Sequence, residues 1–177
     1  MTDSHETLRD IAFVGRLLRE AEEGRAFALA SILATRGSMP RGASARMALL
    51  ADGTWLGTIG GGRIEQQMQE RCQHVLAGEE PNQLEWMTHA KTGMACGGDA
   101  LVGVKLWKPA FAKSVLGDLL EHLRSDKPFV ITEHWADLSD VTLELANLDE
   151  LPQGDPRSTT ETTLWDEESK IYAEPAG

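Results

Sequence analysis

The sequence predicts an α+β fold: a mixed, mostly antiparallel sheet flanked by about three helices, in one domain with a short C-terminal extension. Three observations carry this expectation. Asp52-Gly53 separates two strand-like runs, which is a strong hairpin signal. Ala26 to Ala34 is nearly all apolar, as in a strand buried on both faces. Three other stretches repeat their apolar residues at helical spacing. A chain of 177 residues suits one such domain.

Taken in order, Asp3 with Glu6 resembles a capping box. Leu8, Ile11, Leu18 and Ala21 then share a helical face that stops at Gly24. The strand over 26–34 follows. Arg46 to Ala51 and Thr54 to Ile59 are the arms of the hairpin, and the second arm delivers the chain to Gly60-Gly61-Gly62. Ile64, Met68, Cys72, Val75 and Leu76 form the next helical stripe, closed by Gly78. Gln83 to Thr88 and Ala100 to Trp107 read as further strands. Phe111, Val115, Leu119, Leu120 and Leu123 mark a third amphipathic helix. Phe129 to Thr132 and Val141 to Leu145 are short strands. Residues 147–163 turn polar and acidic, and Leu164-Trp165 with Ile171-Tyr172-Ala173 closes the chain as a hairpin. The domain boundary falls at 146, with 147–177 as the acidic loop and closing segment.

Charge and cysteine usage exclude several function classes. The formal net charge of −11 would repel phosphodiester backbones and anionic membrane surfaces, so neither nucleic acid nor membrane is an expected partner. Arg36, Arg41 and Arg46 nevertheless fall close enough together to make a local cationic patch. The two cysteines, Cys72 and Cys96, form no CxxC pair and no zinc pattern, and no disulfide framework is expected. The acidic N-terminus is unlike a signal peptide and no apolar run spans a bilayer, which places the chain in the cytoplasm with reduced thiols. His74, His122 and His134 read as surface or satisfied residues, and His89 stands near Cys96 in sequence.

Three stretches can carry chemistry. The first is Gly57-Thr58-Ile59-Gly60-Gly61-Gly62-Arg63-Ile64-Glu65, where a strand passes through glycines into a helix. A helix starting near Arg63 would aim free N–H groups at an anion, and the alternative is a tight turn with no ligand. Neither nucleotide motif fits. A dinucleotide fingerprint begun at Gly60 needs glycine at Glu65. A phosphate loop begun at Gly57 meets Arg63 and Ile64 where Lys and Ser/Thr belong. The second stretch is 35–42, where Ser38 and the arginines Arg36 and Arg41 offer hydroxyl and guanidinium donors to an oxyanion, or form an ordinary solvated turn. The third is 89–99. There Cys96 precedes Gly97 and Gly98, so backbone N–H groups can face its sulfur and lower its pKa. The plainer alternative is a buried Cys at a strand entry. Cys72 lies on a helical stripe and reads as a small buried hydrophobe.

These stretches, with Arg46-Met47 and Asp52-Gly53 between them, stand in the order and approximate spacing of the XdhC/CoxI family, which the chain resembles over roughly residues 6–134. Family members are accessory proteins of xanthine dehydrogenase and related molybdenum hydroxylases. The resemblance implies a molybdenum cofactor chaperone, or maturation factor. It would bind the cofactor transiently, protect it during sulfuration and pass it to the apo-hydroxylase, acting as a carrier rather than by turnover. Carried over residue by residue, the cofactor-binding candidates are Ser38, Arg41, Gly60, Gly61, Gly62, Glu65, Cys96, Gly97 and Gly98, with Cys96 also the candidate thiol or metal contact.

The pyranopterin bears an anionic phosphate, which suits a helix start and arginine, and a soft metal centre, which suits a thiolate. Ala43-Ser44 departs from the Pro-Gly that relatives often carry. Lys170 to Pro175 resembles the segment where relatives leave their first domain for a Rossmann-type domain, so the expectation is an N-terminal half. Implied partners are the apo-hydroxylase, a cysteine desulfurase, a separate Rossmann-domain protein and a second copy of the chain. Two other readings stay open: a sulfur-transfer or redox enzyme using Cys96, and a scaffold that docks a Rossmann-domain partner.

Overall fold

The computed structural model describes residues 6–37, 42–88, 98–158 and 162–175. Within them lie three α-helices and two antiparallel sheets, an α+β arrangement. The elements are α1 (Ile11–Glu22), β1 (Phe27–Arg36), β2 (Arg46–Leu50), β3 (Trp55–Gly57), α2 (Gly62–Leu76), β4 (Gln83–Met87), β5 (Asp99–Trp107), α3 (Pro109–Arg124), β6 (Phe129–His134), β7 (Thr142–Asn147), β8 (Leu164–Asp166) and β9 (Ile171–Glu174). The first sheet has the order β3-β2-β1-β5-β4 and the second β7-β6-β9-β8, with every pairing antiparallel.

Two sheets exist rather than one because β1 is apolar on both faces, and both must be covered. Ala28, Ala30 and Ile32 face α2, packing with Met47, Ile64, Met68, Cys72 and Val102. Phe27 and Leu29 face the other way, into a core shared with α1, α3 and the β6 residues Phe129 and Ile131. Farther along that second face, Leu33 and Leu101 meet Trp135, Val141 and Tyr172. Gly103 on β5 admits this contact, since a Cβ there would sit 2.5 Å from the Trp135 ring. The closing hairpin expected at the C-terminus is present, and β9 pairs with β6 through Ile131↔Glu174 to His134↔Ile171.

The first helix begins later than the capping-box pattern suggested. Asp10 is the cap, accepting from the N–H groups of Ala12 and Phe13. Ile11 is therefore the first helical residue and is 48% exposed, while Phe13, Val14, Leu17 and Ala21 point inward. Leu8 lies before the helix yet is fully buried. Residues 147–158 include two short 3₁₀ turns, Leu148–Glu150 and Pro156–Ser158, within the stretch read as an acidic loop.

Candidate functional site

Strand directions bring the three chemical stretches to one end of the five-stranded sheet. Arg36 at the end of β1 pairs with Asp99 at the start of β5. Met87 at the end of β4 pairs with Ala100. Arg46 at the start of β2 pairs with Ser31, and Gly57 at the end of β3 with Met47. The connections 37–45, 58–61 and 88–98 all leave from that end. They are staggered: β1 runs five residues past Ser31, about 17 Å at ~3.3 Å per residue. Ser38, Arg41, Cys96 and Gly97 lie outside the described residues, as does His89. Gly98, buried, is set beside the Arg36–Asp99 pair.

The glycine stretch shows why each position is what it is. Gly57 has φ +76° and a Cβ there would lie 2.4 Å from the Arg46 carbonyl oxygen, so glycine is required for the chain to pass β2. Gly61 caps α2 in an extended conformation and makes no side-chain cap. Gly62 opens the helix at φ +67°. Both are exposed, and a Cβ on either would meet nothing within 4 Å. The 15-residue helix therefore starts without a side-chain cap, beside two positions that open onto free space, an arrangement that favours an anion.

Glu65 is turned back into this loop. Its Oε1 accepts from the Thr58 hydroxyl and from the Ile59 N–H at 3.2 Å. Thr58 Oγ1 in turn accepts from the Gly60 N–H at 3.1 Å. Glu65 therefore positions the glycine turn, and its carboxylate is engaged with protein donors. Two features of this turn were missed from the sequence. Thr58 is the hinge of the hydrogen-bond network. Arg63 is an exposed cation in the first turn of α2. Its signal was available: Arg63 occupies the place of the phosphate-loop lysine in the motif that otherwise fails.

The expected cationic patch is corrected by burial. Arg46 is 1% exposed and sits between the sheets. Its Nη2 lies 2.7 Å from Glu133 Oε2 and 3.0 Å from Glu174 Oε1, and its Nη1 donates to Ser31 Oγ at 3.0 Å. Burial pulls the guanidinium pKa down, and the charges of Glu133 and Glu174 more than restore it, so it stays above the ordinary value. Arg36 does reach the surface, stacked 3.9 Å over Trp86 and 3.5 Å from Asp99.

Cys72 is fully buried on the α2 face that meets the sheet, and burial pushes its thiol up to about 12. His74 pairs with Glu79 at 2.8 Å and His134 with Glu144 at 3.1 Å, on the surface as expected. Among the described residues no group of three or more His, Cys, Asp or Glu side chains is placed to hold a metal ion. None of the described helices is long and apolar enough to cross a membrane.

Residues 20–87 match the model of the XdhC and CoxI family, a span that takes in β1, the hairpin, the triple glycine, α2 and β4. The matched segment is about two fifths of the chain and is what the chain shares with that family. A 60-residue stretch is 43% identical to the uncharacterized protein YqeB of Escherichia coli (strain K12), covering 34% of this chain and 11% of that one. The fold is similar to a crystal structure from Bacillus halodurans described as a xanthine dehydrogenase. The TM-score is 0.65 at 17% identity, over 93% of this chain and 52% of that one. The chain thus spans about half the length of that structure. The matched segment contains the whole glycine turn with Glu65, and also Ser38 and Arg41, whereas Cys96, Gly97 and Gly98 follow it.

Proposed function

We propose that this chain is an accessory protein of a xanthine dehydrogenase-type molybdenum hydroxylase, and that it binds the molybdenum cofactor for delivery to the apo-enzyme. The observation that carries the reading is the uncapped start of α2, open in front of Gly61 and Gly62, at the sheet end from which all three family stretches leave. The match of residues 20–87 to the XdhC and CoxI family supports the accessory role. The name of the structural neighbour points to the same enzyme class.

The donor set fits the phosphate end of the cofactor. Backbone N–H groups of the first α2 turn would hold the phosphate, Arg63 would add a cation, and Glu65 with Thr58 would keep the turn in shape. Ser38 and Arg41 are assigned to the same anion, and Cys96 with Gly97 and Gly98 to the metal end. The bound group would supply the soft metal centre that accepts sulfur. This chain would bind, orient and shield it.

Anaerobic loading of the purified protein with cofactor, read by fluorescence of the oxidised pterin, tests the reading. Wild type should bind, and Cys96→Ala should bind more weakly. Binding by both demotes the cysteine and keeps the carrier. Binding by neither contradicts the proposal.

A further inference from the structure

A cavity lies at the opposite end of the sheet from the glycine turn. It encloses about 360 Å3 between the end of α2, the β5–α3 junction and the turn before β7. Its walls include Val75, Asn82, Phe111, Leu138 and Asp140, and Lys105 of β5 lines it. Asn82 fixes the shape: its Oδ1 accepts from the Leu106 N–H at 2.7 Å and its Nδ2 donates to the Leu138 carbonyl at 2.8 Å.

Lys105 is only 8% exposed. Its Nζ donates to the Leu106 carbonyl at 3.3 Å and lies 4.1 Å from the Phe111 ring centroid and 5.9 Å from that of Trp107. One long hydrogen bond and two aromatic faces offset little of the cost of removing an ammonium from water. Burial accordingly brings its pKa down to about 8, against the opposing pull of Asp140 and Glu133 and with a smaller push from Lys108. Glu80 and the exposed Lys108 complete the charged groups of the lining.

We propose that Lys105 is an acyl-acceptor site, taking a short acyl group from an activated donor of the acyl phosphate class into this cavity. The lone pair of neutral Nζ forms the N–C bond to the acyl carbon. The C–O bond to phosphate breaks, phosphate leaves with the electron pair, and the Nζ proton passes to solvent. The product suits the site better than the ammonium does. An amide carries no charge to desolvate, its N–H keeps the Leu106 acceptor, and the acyl chain meets Val75, Phe111 and Leu138.

At pH 7.5 an amine titrating near 8 is neutral in roughly a quarter of molecules, against about one in a thousand for an exposed lysine. Lower basicity also lowers intrinsic nucleophilicity, with a slope of about 0.4–0.5 for thiols, which leaves a net advantage of about tenfold. The full chain, given limiting acetyl phosphate at pH 7.5, should acetylate Lys105 about tenfold faster than Lys108, Lys113 and Lys127, read by peptide mass spectrometry. In urea the preference should vanish. A Lys105 rate at or below that of the exposed lysines in the folded protein overturns the proposal. So does a preference that persists in urea. Asp140→Asn, which removes a carboxylate that favours the ammonium, should raise the folded-state rate, and an unchanged or lower rate counts against the cavity's role.

Discussion

Replacing Arg46 by methionine should destabilise the inter-sheet junction at its centre. Arg46 holds two buried carboxylates on different strands, Glu133 at 2.7 Å and Glu174 at 3.0 Å. The two acids are 2% and 4% exposed. Other donors reach them: Trp135 Nε1 to Glu133 at 3.1 Å, Tyr172 OH to Glu174 at 2.8 Å, and Arg9 Nε 3.4 Å from Glu174. None of these replaces the shared full charge of Arg46. Breaking a buried pair by removing one partner costs about 3–5 kcal/mol, a large share of a domain's total stability of roughly 5–15 kcal/mol. Methionine fills most of the volume, so the loss reports charge rather than cavity. Urea unfolding at pH 7 should show the midpoint fall with the slope kept. Adding Glu133→Gln should recover at least about 1 kcal/mol of the loss, because it removes one stranded charge. An Arg46→Met loss below about 1 kcal/mol, or strict additivity with Glu133→Gln, would refute this reasoning.

Three further outcomes are expected. Gly57→Ala should cost about 1–3 kcal/mol in urea unfolding, since it combines φ +76° with a Cβ 2.4 Å from the Arg46 carbonyl; a neutral result would mean that β3 does not pass β2 this closely. Lys105→Met should stabilise the protein at pH 7 by up to roughly 3 kcal/mol, since burial brings the lysine pKa down from 10.5 to about 8. The sign follows from proton counts: between pH 8 and 10.5 the unfolded chain binds more protons at this lysine, so wild type should gain stability relative to the variant across that window, over the loss from the raised Cys72 and Tyr172 pKa values that both proteins share, and equal slopes would contradict the burial. Cys72 should resist iodoacetamide at pH 8 until the protein is unfolded, because its thiol is buried and titrates near 12; alkylation at a free-thiol rate would contradict the packing of α2 on the sheet.

Local pattern made much of this fold legible. Asp52-Gly53 placed the hairpin, and the stripe Ile64, Met68, Cys72, Val75 placed α2 and its buried face. The division into two sheets was not legible, because it depends on pairings such as Ile131↔Glu174 that no local period encodes. Arg46 illustrates the same limit. Arginine in a polar-looking stretch reads as surface, and the partners that bury it lie 87 and 128 positions away. At the candidate site, glycine spacing exposed the turn itself. It did not expose the backward reach of Glu65 to Thr58 and Ile59, since a carboxylate at a helix start looks the same whether it meets a ligand or its own loop. Cys72 was readable as inert from its place on an apolar stripe alone.

Binding of the anaerobic cofactor to Gly61→Asp, set beside wild type, tests the open helix start most directly. Gly61 is extended at φ −144° and a side chain there meets nothing within 4 Å, so aspartate should cap α2 and leave thermal stability equal or higher. The same carboxylate would stand where the phosphate is placed and repel it. A variant that folds as well as wild type but loses at least tenfold in cofactor affinity is the expected result. A well-folded Gly61→Asp protein that binds the cofactor as tightly as wild type would contradict the assignment of this site.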